Sequence, residues 1–221
     1  MSGIARYDGI AEWYDAEFAT SELGASAQRI VLRLVGAGAG RLLDVGCGGG
    51  ALAAELAGHN WTVTGVDVSA AQLELARARG IDVVEADAAQ LPFEDASFDA
   101  AVSMFTHTDV DDFAAVLREV ARVLRPGGAF VYLGVHPCFV GPHAFVHDRE
   151  VPELHPGYRD TSYRTEAPGI WDEGLRAKVG ASHLPLGLFL QAVIDAPLKL
   201  ERFEEPEGRD YPHVVALRAS R

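Results

Sequence analysis

Three acidic residues follow three short apolar segments of β-type composition in the first half of the chain. Asp44 ends the first segment, Asp67 the second, and Asp87 lies just past the third. The ends of parallel strands share one edge of a sheet, where ligands bind. One acid at a strand end is usually structural, but three in register predict a nucleoside site. Asp67 suits the ribose hydroxyls, because a carboxylate has two acceptor oxygens, and Asp87 suits a purine amino group.

A glycine-rich turn follows Asp44 directly, over Gly46-Cys47-Gly48-Gly49-Gly50, and an alanine-rich helix follows the turn. Glycine has no Cβ and adopts left-handed backbone angles cheaply, so the backbone can approach a ligand closely. The strand–turn–helix order predicts a nucleotide-sized binding corner. The spacing also fits the G-x-G-x-x-(G/A) dinucleotide pattern, so an NAD-binding protein is an alternative.

Two histidines follow strand ends on the same side, His107 after the fourth strand and His136 after the fifth. Histidine titrates near neutral pH and is the commonest general base. Both are therefore candidate catalytic bases, with a hydrogen-bonded structural role as the alternative.

The elements needed to position these residues alternate along the chain. Strand patterns lie at 41–45, 61–67, 81–86, 98–104 and 129–135, with helix patterns at 51–57, 70–79 and 111–124 between them. This alternation predicts an α/β, Rossmann-like fold, with a mostly parallel sheet covered by helices on both faces. Two late strand patterns at 198–203 and 213–218 predict an antiparallel hairpin at the edge, for seven strands in all.

The chain outside the core predicts a lid and a cap in a single 221-residue domain. We divide it into an N-terminal helical lid (1–35), a cofactor-binding core (41–135), a cap after strand 5 (136–182) and a last helix with the hairpin (183–221). In the lid, Tyr7 and Tyr14 are candidates to close over a ligand. The irregular cap is rich in aromatic and histidine residues, as functional loops often are. There His143, Tyr158 and Trp171 are candidates to line an acceptor pocket.

Composition excludes several partners. The net charge is −13, from 19 basic and 32 acidic residues, which argues against nucleic acid or an anionic membrane. We see no signal peptide and no long apolar run, so we expect a cytoplasmic protein. His143 and His147 have helical metal-ligand spacing but no cysteine partner, and their Pro- and Gly-rich surroundings are poor for a helix, so we expect no metal. A homodimer is left open.

These motifs together resemble those of class I S-adenosylmethionine-dependent methyltransferases of the small-molecule type. Leu43-Asp44-Val45-Gly46-Cys47-Gly48-Gly49-Gly50 resembles the glycine motif, and Gly65-Val66-Asp67-Val68-Ser69 the acidic end of the second strand. Ala86-Asp87-Ala88 and Ser97-Phe98-Asp99 resemble the third motif, and Arg122–Gly128 the turn before strand 5. The acid two residues before the first glycine and the final hairpin disfavour the NAD alternative.

The resemblance implies a site and an activity. The backbone at Gly46 and Gly48 would lie against the amino-acid end of S-adenosyl-L-methionine, with Asp44 near its amino group. The remaining implied cofactor contacts are Tyr14, Asp67, Val68, Asp87, Ala88, Ser103 and Met104. The implied reaction transfers methyl to an oxygen, nitrogen or carbon of a small molecule, possible substrates including a bacterial secondary metabolite, and yields S-adenosyl-L-homocysteine. The alternatives are a cofactor-binding protein with a non-methylating reaction and a non-catalytic binding subunit.

Overall fold

The computed structural model describes residues 5–19, 21–146, 151–206 and 210–221. The chain begins with a lid made of a 3-10 turn (Asp8–Ile10), the short helix α1 (Ala11–Tyr14) and a π-helical turn (Asp15–Ala19). Helix α2 (Glu22–Val35) follows and leads into the sheet. His147, half of the histidine pair considered as a metal motif, lies outside the described residues.

The central sheet has seven strands in the order β3-β2-β1-β4-β5-β9-β8. The strands are β1 (Arg41–Val45), β2 (Thr62–Asp67), β3 (Asp82–Glu85), β4 (Phe98–Met104), β5 (Leu124–Val135), β8 (Lys199–Glu204) and β9 (Val214–Ser220). The first five pair in parallel, and β9 is antiparallel to both β5 and β8. The predicted α/β fold, with its mostly parallel sheet and C-terminal hairpin, is confirmed.

The helices between the strands are α3 (Ala51–Gly58), α4 (Ala70–Ala78), α5 (Phe113–Val123) and α7 (Leu186–Asp195). Two of them begin at the polar residues that sequence rules favour as N-caps, α4 at Ser69 and α5 at Asp112. The Ser69 hydroxyl accepts from the Gln72 backbone N–H at 3.3 Å, and Asp112 accepts from Ala115 at 2.9 Å. Such caps satisfy backbone donors that have no partner within the helix. The cap at Asp112 starts α5 two residues later than the apolar periodicity alone predicts.

The two faces of the sheet bury separate halves of the core. Along β5, Phe130 and Tyr132 pack on the face covered by α5 and α7, whereas Val131 and Leu133 pack on the face covered by α2 and α3. All four side chains are fully buried. The alternation follows from the two-residue period of a strand, and helices on both faces hold the carboxyl ends of β1, β2 and β4 along one edge.

The region after β5 forms a small cap with little regular structure. It contains a two-stranded ribbon, β6 (Ala144–Val146) with β7 (Pro152–Leu154), and the five-residue helix α6 (Leu175–Val179). Within the described residues, no helix combines the length and apolar character needed to cross a bilayer.

Candidate functional site

A cavity of about 1040 Å³ lies at the carboxyl ends of the parallel strands. Gly46, Asp67, Asp87 and Met104 contribute to its wall from the sheet side. Tyr7 and Tyr14 contribute from the lid, and Trp171 and Arg176 from the cap. The cavity therefore joins the predicted nucleoside corner to the predicted acceptor region in one space.

The glycine turn after β1 has the backbone angles that its composition predicts. Gly46 has φ of 74°, Gly48 51° and Gly50 79°, all in the left-handed region that L side chains rarely adopt. A Cβ added to Gly46 would lie 2.4 Å from Cγ2 of Thr106, so a side chain there would collide with the loop after β4. The turn thus presents bare backbone to the cavity wall.

Asp67 is held in place by this turn. Its Oδ2 accepts from the Gly48 N–H and its Oδ1 from the Ser69 N–H, each at 2.9 Å. Burial raises the pKa of Asp67, and the backbone hydrogen bonds from Ser69 and Gly48 act in the opposite direction. Each oxygen keeps further acceptor capacity, so the carboxylate is oriented and can still accept from two hydroxyls.

Asp44 is fully buried beneath the turn, where it lines a small pocket adjoining the main cavity. Its Oδ2 has no hydrogen-bond partner among the described residues. Burial, with a smaller contribution from the Asp67 charge, raises the pKa of Asp44 to about 7. A buried acceptor without a donor is costly, and a ligand amino group would satisfy it.

The remaining predicted cofactor residues divide into two groups. Val68, Asp87, Ala88 and Met104 line the cavity, and Asp87 Oδ1 accepts from the Ala89 N–H at 2.8 Å. Ser103 instead is buried behind the wall. Its hydroxyl donates to the Val45 carbonyl at 2.9 Å and hydrogen-bonds the Thr106 hydroxyl at 2.8 Å, so it braces β4 against β1.

The lid closes one side of the cavity with an aromatic stack. The ring centroids of Tyr7 and Tyr14 are 5.3 Å apart, and those of Tyr14 and Phe18 are 5.1 Å apart. Burial is the main cause that raises the pKa of both tyrosines. Both predicted lid tyrosines therefore line the cavity as neutral phenols.

Ion pairs and hydrogen bonds attach this lid to the core. Asp8 accepts from the Ser69 hydroxyl at 2.6 Å. The Arg79 guanidinium donates to Asp15 and to the carbonyl of Gly49, both at 2.6 Å. Arg79 thus links the lid directly to the glycine turn.

Arg176 and Asp109 are lining residues that sequence reasoning missed. Arg176 Nη1 donates to Asp109 Oδ1 at 2.7 Å, and Nη2 to the Thr108 hydroxyl at 2.8 Å. Burial acts to lower the pKa of Arg176, but neighbouring Asp109 raises it, so the guanidinium stays charged. The partners lie 67 residues apart in sequence, and neither lies in a recognisable motif.

The two predicted catalytic histidines are not among the described lining residues of the cavity. His107 is 3% exposed and packs among Phe113, Tyr132 and Phe189. Its Nδ1 lies 2.5 Å from the Tyr132 hydroxyl, and burial lowers its pKa to about 3. His107 is thus a neutral core residue outside the described cavity lining, a position that does not suit a base acting in the cavity.

His136 is also buried in a structural network. Its Nε2 lies 2.8 Å from Glu205 Oε1, and its Nδ1 accepts from the Cys138 N–H at 3.1 Å. The histidine found in the described wall of the cavity is His213, just before β9. The position of His136 after β5 predicts that it lies near this edge of the sheet. It does not predict the direction of its side chain.

The predicted acceptor residues also separate. Tyr7 and Trp171 line the cavity, whereas His143 and Tyr158 pack inside the cap, outside its described lining. The His143 ring lies 4.5 Å from that of His183 and 5.2 Å from that of Tyr158. Within the described chain, no group of three or more His, Cys, Asp or Glu residues is arranged to hold a metal ion.

Comparison with known proteins identifies this arrangement. A family model described as a methyltransferase domain matches residues 43–132. An O-methyltransferase of Pyrenophora dematioidea is 37% identical over 137 residues, which cover 56% of this chain and 51% of that protein. A demethylmenaquinone methyltransferase of Mycolicibacterium gilvum is 37% identical over 130 residues, which cover 57% and 56%. The chain thus spans about half the length of the curated relatives it matches.

A solved structure matches nearly the whole chain. The S-adenosylmethionine-dependent methyltransferase of Mesorhizobium loti superimposes with a TM-score of 0.72 at 28% identity, covering 97% of this chain and 99% of that one. The fold is that of a Rossmann-like protein, and an acidic, glycine-rich corner forms part of its cavity wall. Residues 43–132 thus match a methyltransferase domain, and the chain is similar in sequence and fold to class I S-adenosylmethionine-dependent methyltransferases.

The cofactor of this class is S-adenosyl-L-methionine, and the residues present fit it. Gly46 presents bare backbone to the cavity, and the Asp44 oxygen that has no partner among the described residues would accept from an amino group. The oriented Asp67 carboxylate suits ribose hydroxyls.

Proposed function

We propose that this chain is an enzyme that transfers a methyl group from S-adenosyl-L-methionine to an oxygen, nitrogen or carbon atom of a small molecule. The observation that carries the proposal is the large cavity that extends from the glycine turn to the cap, because donor and acceptor need a shared space closed to water. When bound, the cofactor supplies an electrophilic methyl group on a sulfonium. We assign a bacterial secondary metabolite as the kind of acceptor to test first.

In this proposal, the chain binds and orients more than it transfers protons. Asp67 holds the ribose, Asp44 the amino group, and Asp87 with Ala88 the adenine. Tyr7 and Tyr14 cover the site from the lid and exclude water. Where an acceptor needs a base, His213 replaces His107 and His136 in our assignment, because it lies in the cavity wall.

Asp67 provides the sharpest test of the cofactor assignment. We expect Asp67→Ala to weaken S-adenosyl-L-homocysteine binding by about 10-fold or more, since each hydrogen bond to a charged group contributes about 1.5–3 kcal/mol. Asp82→Ala is the matched control, because Asp82 is an exposed acid on β3, outside the described cavity lining. Calorimetry that gives equal affinities for Asp67→Ala and the wild type would contradict the ribose assignment.

The activity is tested with methyl-labelled S-adenosyl-L-methionine and a panel of phenols, carboxylic acids and amines. We expect label in an acceptor, with an equal amount of S-adenosyl-L-homocysteine formed. An acceptor consumed without S-adenosyl-L-homocysteine would favour the non-methylating alternative. Cofactor binding without turnover of any acceptor in the panel would favour the binding subunit. A cytoplasmic location and a homodimer stay predictions, as does the absence of nucleic-acid and membrane partners.

A further inference from the structure

Arg6 lies where the lid, the loop after β4 and the cap meet. Its guanidinium lies over the Tyr163 ring, 4.1 Å from the centroid, and its Nη2 is 3.7 Å from Asp111 Oδ1. The side chain is 32% exposed and forms part of the cavity wall. Arg6 therefore presents a positive charge to the cavity where its wall meets the cap.

The other nitrogen of this guanidinium has no protein partner. Arg6 Nη1 is shut off from solvent and has no hydrogen-bond partner among the described residues. Arg176, the second arginine in the described wall, differs in this respect, because it donates to Asp109, Thr108 and the Gly180 carbonyl. A buried N–H of a charged group without an acceptor is unfavourable, so a bound ligand that accepts there would be favoured.

Nearby acids do not supply that acceptor. Asp109 is paired with Arg176. Asp112 caps α5 and lies 3.5 Å from Arg118. Asp111 meets only Nη2, and its side chain is 96% exposed, so the pair is weak. Among the described lining residues, Arg6 is thus the cation that has an N–H group without a hydrogen-bond acceptor.

The Tyr163 ring under Arg6 is held in place by other residues of the cap. The Tyr163 hydroxyl donates to the Val179 carbonyl at 2.8 Å. Gly180 makes room for this ring, since a Cβ there would lie 2.3 Å from the hydroxyl oxygen. Tyr163 is therefore fixed beneath the guanidinium, which favours one orientation of its N–H groups.

We infer that Arg6 binds an anionic group of the methyl acceptor, a carboxylate in the first place. The inference rests on the proposed function and narrows its substrate to a small molecule with an apolar body and one acidic group. The apolar part matches the apolar side chains of the lining, which include Val135, Val140, Leu175 and Val214. A carboxylate fits because it accepts from a guanidinium in a planar, charge-assisted geometry.

The test compares matched acids and amides bound to the complex of the protein with S-adenosyl-L-homocysteine. The probes are octanoate against octanamide and benzoate against benzamide, titrated near neutral pH and followed by ligand-observed NMR. We expect the wild type to bind at least one acid about 10-fold more tightly than its amide, as one charged hydrogen bond would give. Arg6→Met should abolish this preference and leave the amide affinity unchanged.

Two controls keep the result specific. Arg29→Met removes an exposed arginine of α2 outside the described cavity wall and should keep the preference. Calorimetry with S-adenosyl-L-homocysteine should give the same affinity for all three proteins, which shows that the cofactor site is intact. Equal binding of acid and amide by the wild type, or a preference that survives in Arg6→Met, overturns the inference. Failure of the wild type to bind S-adenosyl-L-homocysteine would instead overturn the proposed function.

Discussion

Gly46→Ala should lower the free energy of unfolding for two separable reasons. The first is conformational, because φ is 74° and an L residue in the left-handed region costs about 1–2 kcal/mol. The second is steric, because the new Cβ would lie 2.4 Å from Thr106 Cγ2, and overpacking of this kind costs about 1–3 kcal/mol. We expect a total loss of about 2–5 kcal/mol, a large part of the roughly 5–15 kcal/mol of a native domain.

A second substitution separates the two contributions. Thr106→Ser removes Cγ2 and keeps the hydroxyl that hydrogen-bonds Ser103 at 2.8 Å. In Gly46→Ala/Thr106→Ser the steric part should be relieved, whereas the conformational part stays. The double variant should therefore be more stable than the sum of the single effects by about 1 kcal/mol or more, a coupling that neighbouring residues often show.

Gly48→Ala is the control for the conformational part alone. Its φ is 51°, yet the nearest atom to an added Cβ is Gln72 Oε1 at 3.6 Å, an ordinary contact. It should lose about 1–2 kcal/mol. Urea titrations followed by circular dichroism, with calorimetry for S-adenosyl-L-homocysteine, measure all variants. Strict additivity of Gly46→Ala and Thr106→Ser, or an equal loss in Gly46→Ala and Gly48→Ala, would refute the steric argument.

Three further predictions concern ionisable side chains. Because its pKa is raised from 3.8 to about 7 in the fold, Asp44 should stabilise the ligand-free protein most below pH 4 and lose this contribution as the pH rises through 7. In urea titrations, the free energy of unfolding of Asp44→Asn should therefore vary less with pH between 4 and 7 than that of the wild type. An unchanged pH dependence would contradict the raised pKa of Asp44. The pKa of His107 is lowered from 6.5 to about 3, so its effect on stability has the opposite sign. Its contribution to stability is present above pH 6.5 and is lost as the pH falls through 3. His107→Gln should therefore reduce acid sensitivity in the same titrations, and equal sensitivity would argue against a buried neutral imidazole. Arg79→Met should release the lid from Asp15 and the Gly49 carbonyl, raise amide exchange over 8–19 and weaken S-adenosyl-L-homocysteine binding; unaltered exchange would show that this ion pair does not hold the lid.

The fold and the placement of the glycine corner in the cavity wall could be predicted because their determinants are local. Alternating strand and helix patterns specify a parallel sheet, and the carboxyl ends of its strands converge whatever loops follow. Asp44 and Asp67 are placed by the strands β1 and β2 in which they lie, and Asp87 by the strand β3 that it follows. The glycine turn needs left-handed angles that few other residues tolerate. Its position and its backbone shape can therefore both be predicted from the sequence.

The acceptor half was decided by tertiary structure. Phe105 has φ of 62°, an infrequent value for a residue other than glycine. Strand alternation does not give side-chain directions beyond such a turn, and the structure places His107 against Tyr132 rather than in the cavity. Likewise, Asp109 meets Arg176, and Arg6 meets Tyr163, across long separations in sequence. The sequence by itself determined the sheet, the glycine corner and its acids, because their causes lie within a few residues. Only packing of the lid and cap against the sheet decided which of their polar groups line the cavity.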